Sequence, residues 1–269
     1  MLFAVWVSWN YDDQSRCFVM TAEAAVSPLS QLFDSYGRKS QSRYFVNYGF
    51  TVDRNHRDNE ACLRVELLDS DPDSKAKTPL LGRGGGSKNK ARKFIVSCSF
   101  SDKGFQRLIS FCRFVTAPYD MIVKSSSSKK NVGAEDMPPR TAQNEIKALR
   151  RIKAAAVASL KRFSTSLRHD HLLLKRNRFS DSNVRNCVMM RCGEKETLHW
   201  YIGFSDYMCA VLKKQGSRTQ KKGRTESLLL DIRESYRDYT THVVEELLEA
   251  TSSDAATPYY KDQQQPNHK

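Results

Sequence analysis

The sequence predicts an α+β fold in which a small strand-rich N-terminal part precedes a mainly helical C-terminal part. Three observations support this prediction. Up to about residue 68, short β-branched stretches alternate apolar and polar residues, as half-buried strands do. From residue 141 onward, apolar residues recur every three or four positions, as they do on one face of a helix. Segments rich in Ser, Gly and Lys separate the two regions and break both patterns.

The composition is that of a globular protein with a basic surface. The chain has 269 residues, of which 39% are hydrophobic and 28% charged, enough for one large or two small domains. Only 12 glycines and 8 prolines are present, too few for a fibrous protein. No apolar run reaches the roughly 18 to 20 residues of a membrane helix, so we expect no membrane partner. The net charge of +14 favours acidic partners without specifying one.

Seven cysteines are spread along the chain, and their odd number and apolar neighbours favour free thiols in a reducing compartment. Cytoplasm and nucleus both remain open. Residues 1–9 are apolar but lack the basic start and the cleavage site of a secretory signal. Cys187, Cys192 and His199 carry metal-ligand side chains, but no second pair follows them, so we expect no metal site there.

The first predicted elements are strands. Residues 16–21 alternate in polarity and contain β-branched side chains, and residues 31–36 alternate again after the Ser27-Pro28 turn. We treat residues 1–56 as one strand-rich region.

Residues 57–140 form a predicted connecting region with two flexible insertions, at 69–93 and 124–140. Between the insertions, residues 94–100 have the pattern of a strand and residues 104–115 that of a helix.

Residues 141–250 are predicted to form a bundle of three amphipathic helices, because each apolar stripe can be buried only against the others. Thr141 is the expected N-cap of the first helix, the second follows the Asp181-Ser182-Asn183 segment, and the third begins near Thr225. The first stripe comprises Ile146, Leu149, Ala156, Leu160, Phe163 and Leu167. The second comprises Val184, Cys187, Val188, Leu198, Tyr201, Ile202, Met208 and Leu212. The third comprises Leu228, Ile232, Tyr239, Val243 and Leu247.

Two further segments have simpler interpretations. Residues 169–171, a His-Asp-His run, are expected to be the solvated C-terminal turn of a helix. The polar tail at 251–269 is expected to be disordered, because it cannot bury enough apolar surface to order itself.

Two Tyr-Gly pairs lie twelve residues apart, at Tyr36-Gly37 and Tyr48-Gly49, with a short apolar patch at 44–46 between them. Taken alone, the pairs indicate turns that need glycine and rings that pack in a core.

With its neighbours, this segment resembles the C-terminal half of the SET domain in the Rubisco large-subunit methyltransferase-like group of protein-lysine methyltransferases. The family pattern is Tyr-Gly-x-Lys-Ser-Asn, a few apolar residues, then Tyr-Gly-Phe. The matching residues are Tyr36, Gly37, Lys39, Ser40, Phe45, Tyr48, Gly49 and Phe50. The stretch at 9–13 and Phe18 also fit the strand that leads into this motif.

Downstream segments resemble the helical substrate-binding domain of the same group. They are Asn144-Glu145, residues 148–150, 163–167 and 183–187, Met190-Arg191 and residues 193–195. The resemblance implies a SET-domain C-terminal portion at 1–56 and a helical substrate-binding domain at 141–250. It also implies transfer of a methyl group from S-adenosylmethionine to a lysine of a protein partner. By carry-over, Tyr36 would be catalytic, Tyr48, Gly49 and Phe50 would contact the cofactor, and no metal is required.

The sequence departs from the family in two places. Gln41 stands where the family prefers Asn, so we expect the added methylene to alter the local turn. The family's Asn-His pair and Gly-Glu-rich cofactor segment precede the stretch matched at 9–13, so we expect a truncated copy of a longer methyltransferase. The alternatives are a non-catalytic protein-binding module and a basic nucleic-acid-binding protein. The lysines at 75–93 and the basic loop at 213–224 favour the last, but no aromatic residues are interleaved with them, so we expect solvated charge instead.

Overall fold

The computed structural model forms two compact units, residues 1–39 and residues 40–269. It describes residues 5–53, 55–82, 88–100, 102–125 and 133–216, together with Tyr236, Tyr239, Val243, Val244 and Leu247. The predicted α+β class is confirmed, with small sheets preceding a mainly helical region. Among the described residues, no helix has both the length and the apolar character needed to cross a membrane.

The N-terminal unit contains a three-stranded sheet in the order β2-β1-β3. The strands are β1 (Val5–Asp12), β2 (Cys17–Ala22) and β3 (Leu32–Phe33). Strand β1 runs antiparallel to β2 and parallel to β3. The predicted strand at 16–21 is therefore confirmed, whereas the one at 31–36 is reduced to two residues. It is short because the side chains of Asp34 and Ser35 accept hydrogen bonds from the backbone N–H groups of Ser35 and Gly37, at 2.7 and 3.1 Å.

One face of this sheet carries large apolar side chains that remain open to solvent. Trp9 pairs with Met20 and Tyr11 pairs with Phe18 across β1 and β2, which places all four on the same face. Each is between 56% and 60% exposed. The rings of Trp9 and Phe18 stack with their centroids 5.2 Å apart.

The C-terminal unit combines a β-hairpin with seven helices among its described residues. The strands are β4 (Glu60–Glu66) and β5 (Ala91–Ser97), which pair antiparallel. The helices are α1 (Gln41–Tyr48), α2 (Ser74–Lys77), α3 (Lys103–Thr116), α4 (Tyr119–Ser125), α5 (Ala142–Leu160), α6 (Leu167–Arg176) and α7 (Ser182–Gly216), with a 3₁₀ turn at Thr78–Leu80. Buried and solvent-facing residues alternate along both strands, so one face of the hairpin packs against α3, α5 and α7.

Helices α5 and α7 form the centre of the core. The Oγ1 atom of Thr141 accepts a hydrogen bond from the backbone N–H of Asn144 at 3.1 Å, which confirms the predicted cap. Leu149 on α5 and Tyr201 on α7 are completely buried. Phe163 and Leu167 were predicted to lie on this helix, but α5 ends at Leu160 and does not include them.

Helix α7 begins at Ser182, two residues before the predicted start after Asn183, and its first turns bury a different face from the predicted one. Val184 and Cys187 are exposed rather than part of the apolar stripe, because the buried residue of this turn is the polar Asn186. Of the predicted third helix, Leu228 and Ile232 lie outside the described residues, whereas Tyr239 and Leu247 are buried. The predicted disordered tail at 251–269 also lies outside them.

The structure differs from the sequence analysis in two more segments. Residues 41–48, inside the predicted strand-rich region, form helix α1. Residues 169–171 lie near the start of α6, not at a helix end, because the Ser166 Oγ caps this helix by accepting from the His169 N–H at 3.2 Å.

Residues 57–140, the predicted connecting region, supply β4, β5 and α3 to the core that contains α5 and α7. The boundary between the two compact units lies between Lys39 and Ser40, inside the predicted region 1–56.

A buried ion-pair cluster joins α6 to α7. The Asp170 carboxylate is completely buried and accepts hydrogen bonds from Lys195 and Arg191, each with a shortest distance of 2.6 Å, and from Thr165 at 3.0 Å. Burial alone would raise the pKa of Asp170, but the hydrogen bonds from Arg191, Lys195 and Thr165 outweigh it and lower that pKa below its ordinary value. The ammonium of Lys195 also lies 4.9 Å from the centre of the Phe163 ring. Residues of the motifs at 163–167 and 190–195 therefore meet in one structural cluster.

Candidate active site

The second Tyr-Gly pair forms the end of helix α1. Gly49 follows the last helical residue and has a φ of +80°, a left-handed conformation that residues with a Cβ rarely adopt. Its backbone N–H donates to the Phe45 carbonyl at 2.9 Å, which satisfies a carbonyl at the helix end. Glycine at this position is therefore explained by the helix cap before any ligand is considered.

Aromatic rings surround this turn. The rings of Tyr44 and Phe50 stack with centroids 5.5 Å apart, and those of Tyr48 and Phe50 are 6.1 Å apart. Tyr48 is 42% exposed, and a Cβ added to Gly49 would have no heavy atom within 4 Å. The turn therefore presents aromatic surface beside open space over the backbone.

Gln41 links the start of α1 to the segment that follows the turn. Its Oε1 accepts from the Val52 N–H at 2.9 Å, and its Nε2 donates to the Val52 carbonyl. The backbone N–H of Gln41 donates to the Asn59 Oδ1 at 3.2 Å, and Gln41 itself is buried. The methylene that distinguishes Gln from the family's Asn thus belongs to a side chain that reaches Val52 and closes the loop after α1.

Helix α7 holds the same turn from the other side. The Nδ2 of Asn186 donates to the Gly49 carbonyl at 3.3 Å, and the Oγ1 of Thr51 donates to the Asn186 Oδ1 at 2.8 Å. Arg185 also contacts the Asp53 carboxylate at 3.3 Å. The nitrogen and the oxygen of the Asn186 side-chain amide therefore both bind residues 49–51 and hold them against α7.

A glycine in α7 allows a second contact of this kind. A Cβ on Gly193 would lie only 2.4 Å from the Nδ2 of Asn59, so any larger residue would displace that buried side chain. Asn59 in turn holds the backbone of Gln41. Sequence reasoning did not identify Gln41, Asn59, Asn186 and Gly193 as a set. Helix α7 also buries the polar residues Lys195, Thr197 and Ser205, so the sequence does not single out Asn186 and Gly193.

The first Tyr-Gly pair belongs to the N-terminal unit. Gly37 has a φ of +71°, so this pair is also a turn that requires glycine, and the Lys39 ammonium donates to the Tyr36 carbonyl. The Tyr36 side chain is exposed. Of the four predicted site residues, the structure thus brings together Tyr48, Gly49 and Phe50, whereas Tyr36 lies in the other unit.

The C-terminal unit is a helical domain built on a β-hairpin, with an aromatic-glycine turn fixed to its longest helix. In a comparison with known protein families, residues 68–198 of this unit match the family model described as Rubisco LSMT substrate-binding. The matched range includes residues 68–140, which the sequence analysis assigned to the connecting region. The predicted resemblance to the Rubisco large-subunit methyltransferase-like group is confirmed.

Solved structures of Rubisco LSMT share this fold. A structure of Rubisco LSMT bound to sinefungin and monomethyllysine has a TM-score of 0.54 at 18% identity, covering 84% of this chain and 52% of that one. A structure of Rubisco LSMT bound to AdoMet has a TM-score of 0.53 at 18% identity, covering 80% and 52%. The SET domain of LSMT bound to lysine and AdoHcy has a TM-score of 0.51 at 19% identity, covering 75% and 48%.

The chain therefore spans about half the length of the solved structures that it matches. A comparison with curated protein sequences finds no match. At this level of identity, the structural similarity establishes the fold.

Proposed function

We propose that this chain takes part in the S-adenosylmethionine-dependent methylation of a lysine in a protein partner, in the cytoplasm or the nucleus. The observation that carries the proposal is the attachment of residues 49–51 to Asn186 of α7. This attachment fixes the expected cofactor-contacting residues to the domain expected to hold the protein substrate. The fold shared with Rubisco LSMT supports the same function.

The turn suits the proposed cofactor. S-adenosylmethionine would supply the methyl group. The rings of Tyr48 and Phe50 would pack against its flat or apolar parts, and Gly49 leaves the adjacent backbone free of side-chain bulk. No buried charge lies on this turn, so the aromatic surface would contribute contact area and shape rather than charge.

Tyr36 would act on the substrate amine. A free lysine has a pKa near 10.4, about three units above neutral pH, so presenting its neutral amine costs roughly 4 kcal/mol unless the site helps. A tyrosine hydroxyl can orient the amine nitrogen by a hydrogen bond without adding charge. This is the role that we assign to Tyr36.

A methyl-transfer assay tests this function. The purified chain is incubated with labelled S-adenosylmethionine and a cell lysate, and incorporation into protein lysine is measured. We expect incorporation by the natural chain and its loss in Tyr36→Phe. Tyr11→Phe is the matched control, because Tyr11 is an exposed tyrosine of the same unit and its loss should leave incorporation unchanged.

Two outcomes would contradict the proposal. Equal incorporation by Tyr36→Phe and the natural chain would remove Tyr36 from the reaction. No incorporation by the natural chain would favour the non-catalytic protein-binding module, in which the helical domain binds its partner and the aromatic-glycine turns do no chemistry.

The nucleic-acid alternative has less support from the structure. Within the insertion at 69–93, Lys77 and Lys90 pair with Asp71 and Asp69 at 2.7 and 2.6 Å. Arg92 is buried and pairs with Glu135. These cations are therefore partly neutralised within the chain. Retention on DNA or RNA that falls steeply as salt rises would revive this alternative.

A further inference from the structure

Three side chains with metal-ligand atoms surround the carboxylate of Glu196. Its Oε1 lies 2.9 Å from the His171 Nε2 and 3.8 Å from the Cys192 Sγ, and its Oε2 lies 2.9 Å from the His56 Nδ1. One ligand atom each from His171, Cys192 and Glu196 lie within 4.8 Å of one another. This cluster takes no part in the proposed methyl transfer.

The fold fixes the positions of these three residues. Cys192 and Glu196 are four residues apart on α7, so their side chains lie on the same face of the helix one turn apart. His171 belongs to α6, which packs against α7. Its neighbour Asp170 is tied to α7 by the ion pairs with Arg191 and Lys195. The backbone that carries His171 is therefore anchored beside Cys192.

We propose that His171, Cys192 and Glu196 bind a zinc ion. An imidazole nitrogen, a thiolate sulfur and a carboxylate oxygen form a donor set that zinc prefers, with bonds of roughly 2.0 to 2.3 Å. Tetrahedral ligands at those bond lengths lie roughly 3.3 to 3.8 Å apart. The 3.8 Å between the Cys192 Sγ and the Glu196 Oε1 already fits, and the 2.9 Å between the His171 Nε2 and that oxygen would have to lengthen slightly. All three distances are within 4.8 Å, so movements of about 1 Å bring the atoms to this geometry. Three protein ligands leave a fourth position for water.

His56 gives the carboxylate a defined orientation. Because its Nδ1 holds the Oε2 of Glu196, the Oε1 that faces Cys192 and His171 is the oxygen available to the metal. Ligating carboxylates commonly have such a hydrogen-bonding partner, and its loss typically weakens metal binding by roughly 10- to 100-fold. His56 is thus a positioning residue that acts through Glu196.

Binding exchanges a proton for the metal. Cys192 is a free cysteine, buried at the contact between α6 and α7. Formation of the zinc–sulfur bond breaks the sulfur–hydrogen bond and releases one proton to the buffer.

Metal titration of the purified full-length chain tests the proposal. Zn²⁺ binding is measured by competition with a coloured chelator, and Co²⁺ is used as a spectroscopic probe of thiolate ligation. We expect one equivalent of metal and a thiolate-to-cobalt charge-transfer band in the near ultraviolet. Cys192→Ser should abolish the band, and His171→Gln should weaken zinc binding by about tenfold or more.

Cys187→Ser is the matched control. Cys187 is an exposed thiol on the same helix, five residues before Cys192, and its replacement should leave both the stoichiometry and the band unchanged. Circular dichroism of each variant checks that it is folded, and His171→Gln keeps the proposal testable if Cys192→Ser is not, because His171 is exposed. No stoichiometric binding by the natural chain, or a band that survives Cys192→Ser, would overturn the proposal. A negative methyl-transfer assay would leave it unaffected.

Discussion

The N-terminal sheet and the C-terminal helical unit use their apolar residues in opposite ways. Leu63 of β4, Leu149 of α5 and Tyr201 of α7 are completely buried, whereas Trp9 and Phe18 of the sheet are more than half exposed. A stable domain needs at least two packed layers around one core. The C-terminal unit has a hairpin layer and a helix layer, whereas the described sheet of the N-terminal unit leaves an apolar face in solvent. Most of the stabilising burial therefore belongs to the C-terminal unit.

Charged residues show the same contrast. Within the C-terminal unit, Asp170, Lys195 and Glu145 are buried and paired, so removing one partner leaves an uncompensated charge in the core. In the N-terminal unit, Asp12 is the last residue of β1, at the surface, and its carboxylate accepts a hydrogen bond from the Ser15 hydroxyl at 2.5 Å. We therefore expect substitutions of the buried charged residues to lower the stability of the protein strongly, and substitution of Asp12 to lower it only slightly.

Removal of the Asp170 carboxylate should have the largest effect. Asp170→Ala leaves Lys195 and Arg191 without their buried partner, and we expect the free energy of unfolding to fall by about 3 to 5 kcal/mol. Urea denaturation followed by circular dichroism measures this loss. Asp12→Ala is the surface control, and its loss of stability should be much smaller. Similar losses in the two variants would remove the contrast between the units.

The same residue predicts a dependence of stability on pH. Because the pKa of Asp170 is lowered in the folded state, its contribution is fully present above its unfolded pKa of about 3.9 and is lost as pH falls through the folded value. Urea midpoints of the natural chain should therefore decrease below about pH 4. Asp170→Asn should show a smaller decrease over the same range, and an identical decrease would contradict this assignment.

Apolar truncations compare the two cores directly. Leu149→Ala removes a completely buried side chain, and we expect a loss of about 2 to 5 kcal/mol. Phe18→Ala removes a larger side chain from the exposed sheet face, and the loss should be about 1 kcal/mol or less. Thermal unfolding of both variants measures the difference. A larger effect at Phe18 would mean that the sheet face has a partner in solution.

Two glycines of α7 test how closely Asn59 packs on the helix. Gly193→Ala forces the new Cβ onto the Asn59 amide, and after the gain in helix propensity we expect a net loss of about 1 kcal/mol. Gly203→Ala is the control, because its nearest contact is the Tyr236 hydroxyl at 3.9 Å. That variant should be neutral or more stable by up to about 1 kcal/mol. Urea midpoints of equal value would contradict the close packing of Asn59.

The smallest predicted effect is local. Asn186→Ala removes the hydrogen bonds to Gly49 and Thr51, so we expect a global loss of about 1 kcal/mol and faster amide exchange in residues 49–53. Hydrogen–deuterium exchange measured by mass spectrometry reports both quantities. Asn183→Ala, at an exposed position three residues earlier, should leave exchange unchanged. Unchanged exchange in Asn186→Ala would mean that α7 does not hold the turn.

Local signals made part of this structure predictable. The alternation at 16–21 and the cap at Thr141 depend on residues a few positions apart, and the structure confirms both. The cap at Ser166 was missed because the His-Asp-His run that follows resembles a solvated helix end, although Asp170 is buried among partners up to 25 residues away.

The attachment of the turn to α7 could not be predicted in this way. Asn186 meets Thr51 across 135 positions, and nothing near either residue in the sequence indicates the contact. Gln41 was interpreted only as a departure from a family pattern, whereas its amide spans the loop to Val52. The cluster at Glu196 combines residues of three separate segments, His56, His171 of α6 and Cys192 of α7, so the local spacing that was considered around Cys192 could not indicate it.

Residue-resolved NMR of the natural chain during titration with S-adenosylmethionine tests the account most directly. If the turn after α1 forms part of the cofactor site, the backbone amide signals of Tyr48, Gly49 and Phe50 should shift in a saturable manner. The amides of the buried centre of α5, around Leu149, should remain unchanged. Saturable shifts elsewhere with none at residues 48–50, or no saturable shift at all, would contradict the account.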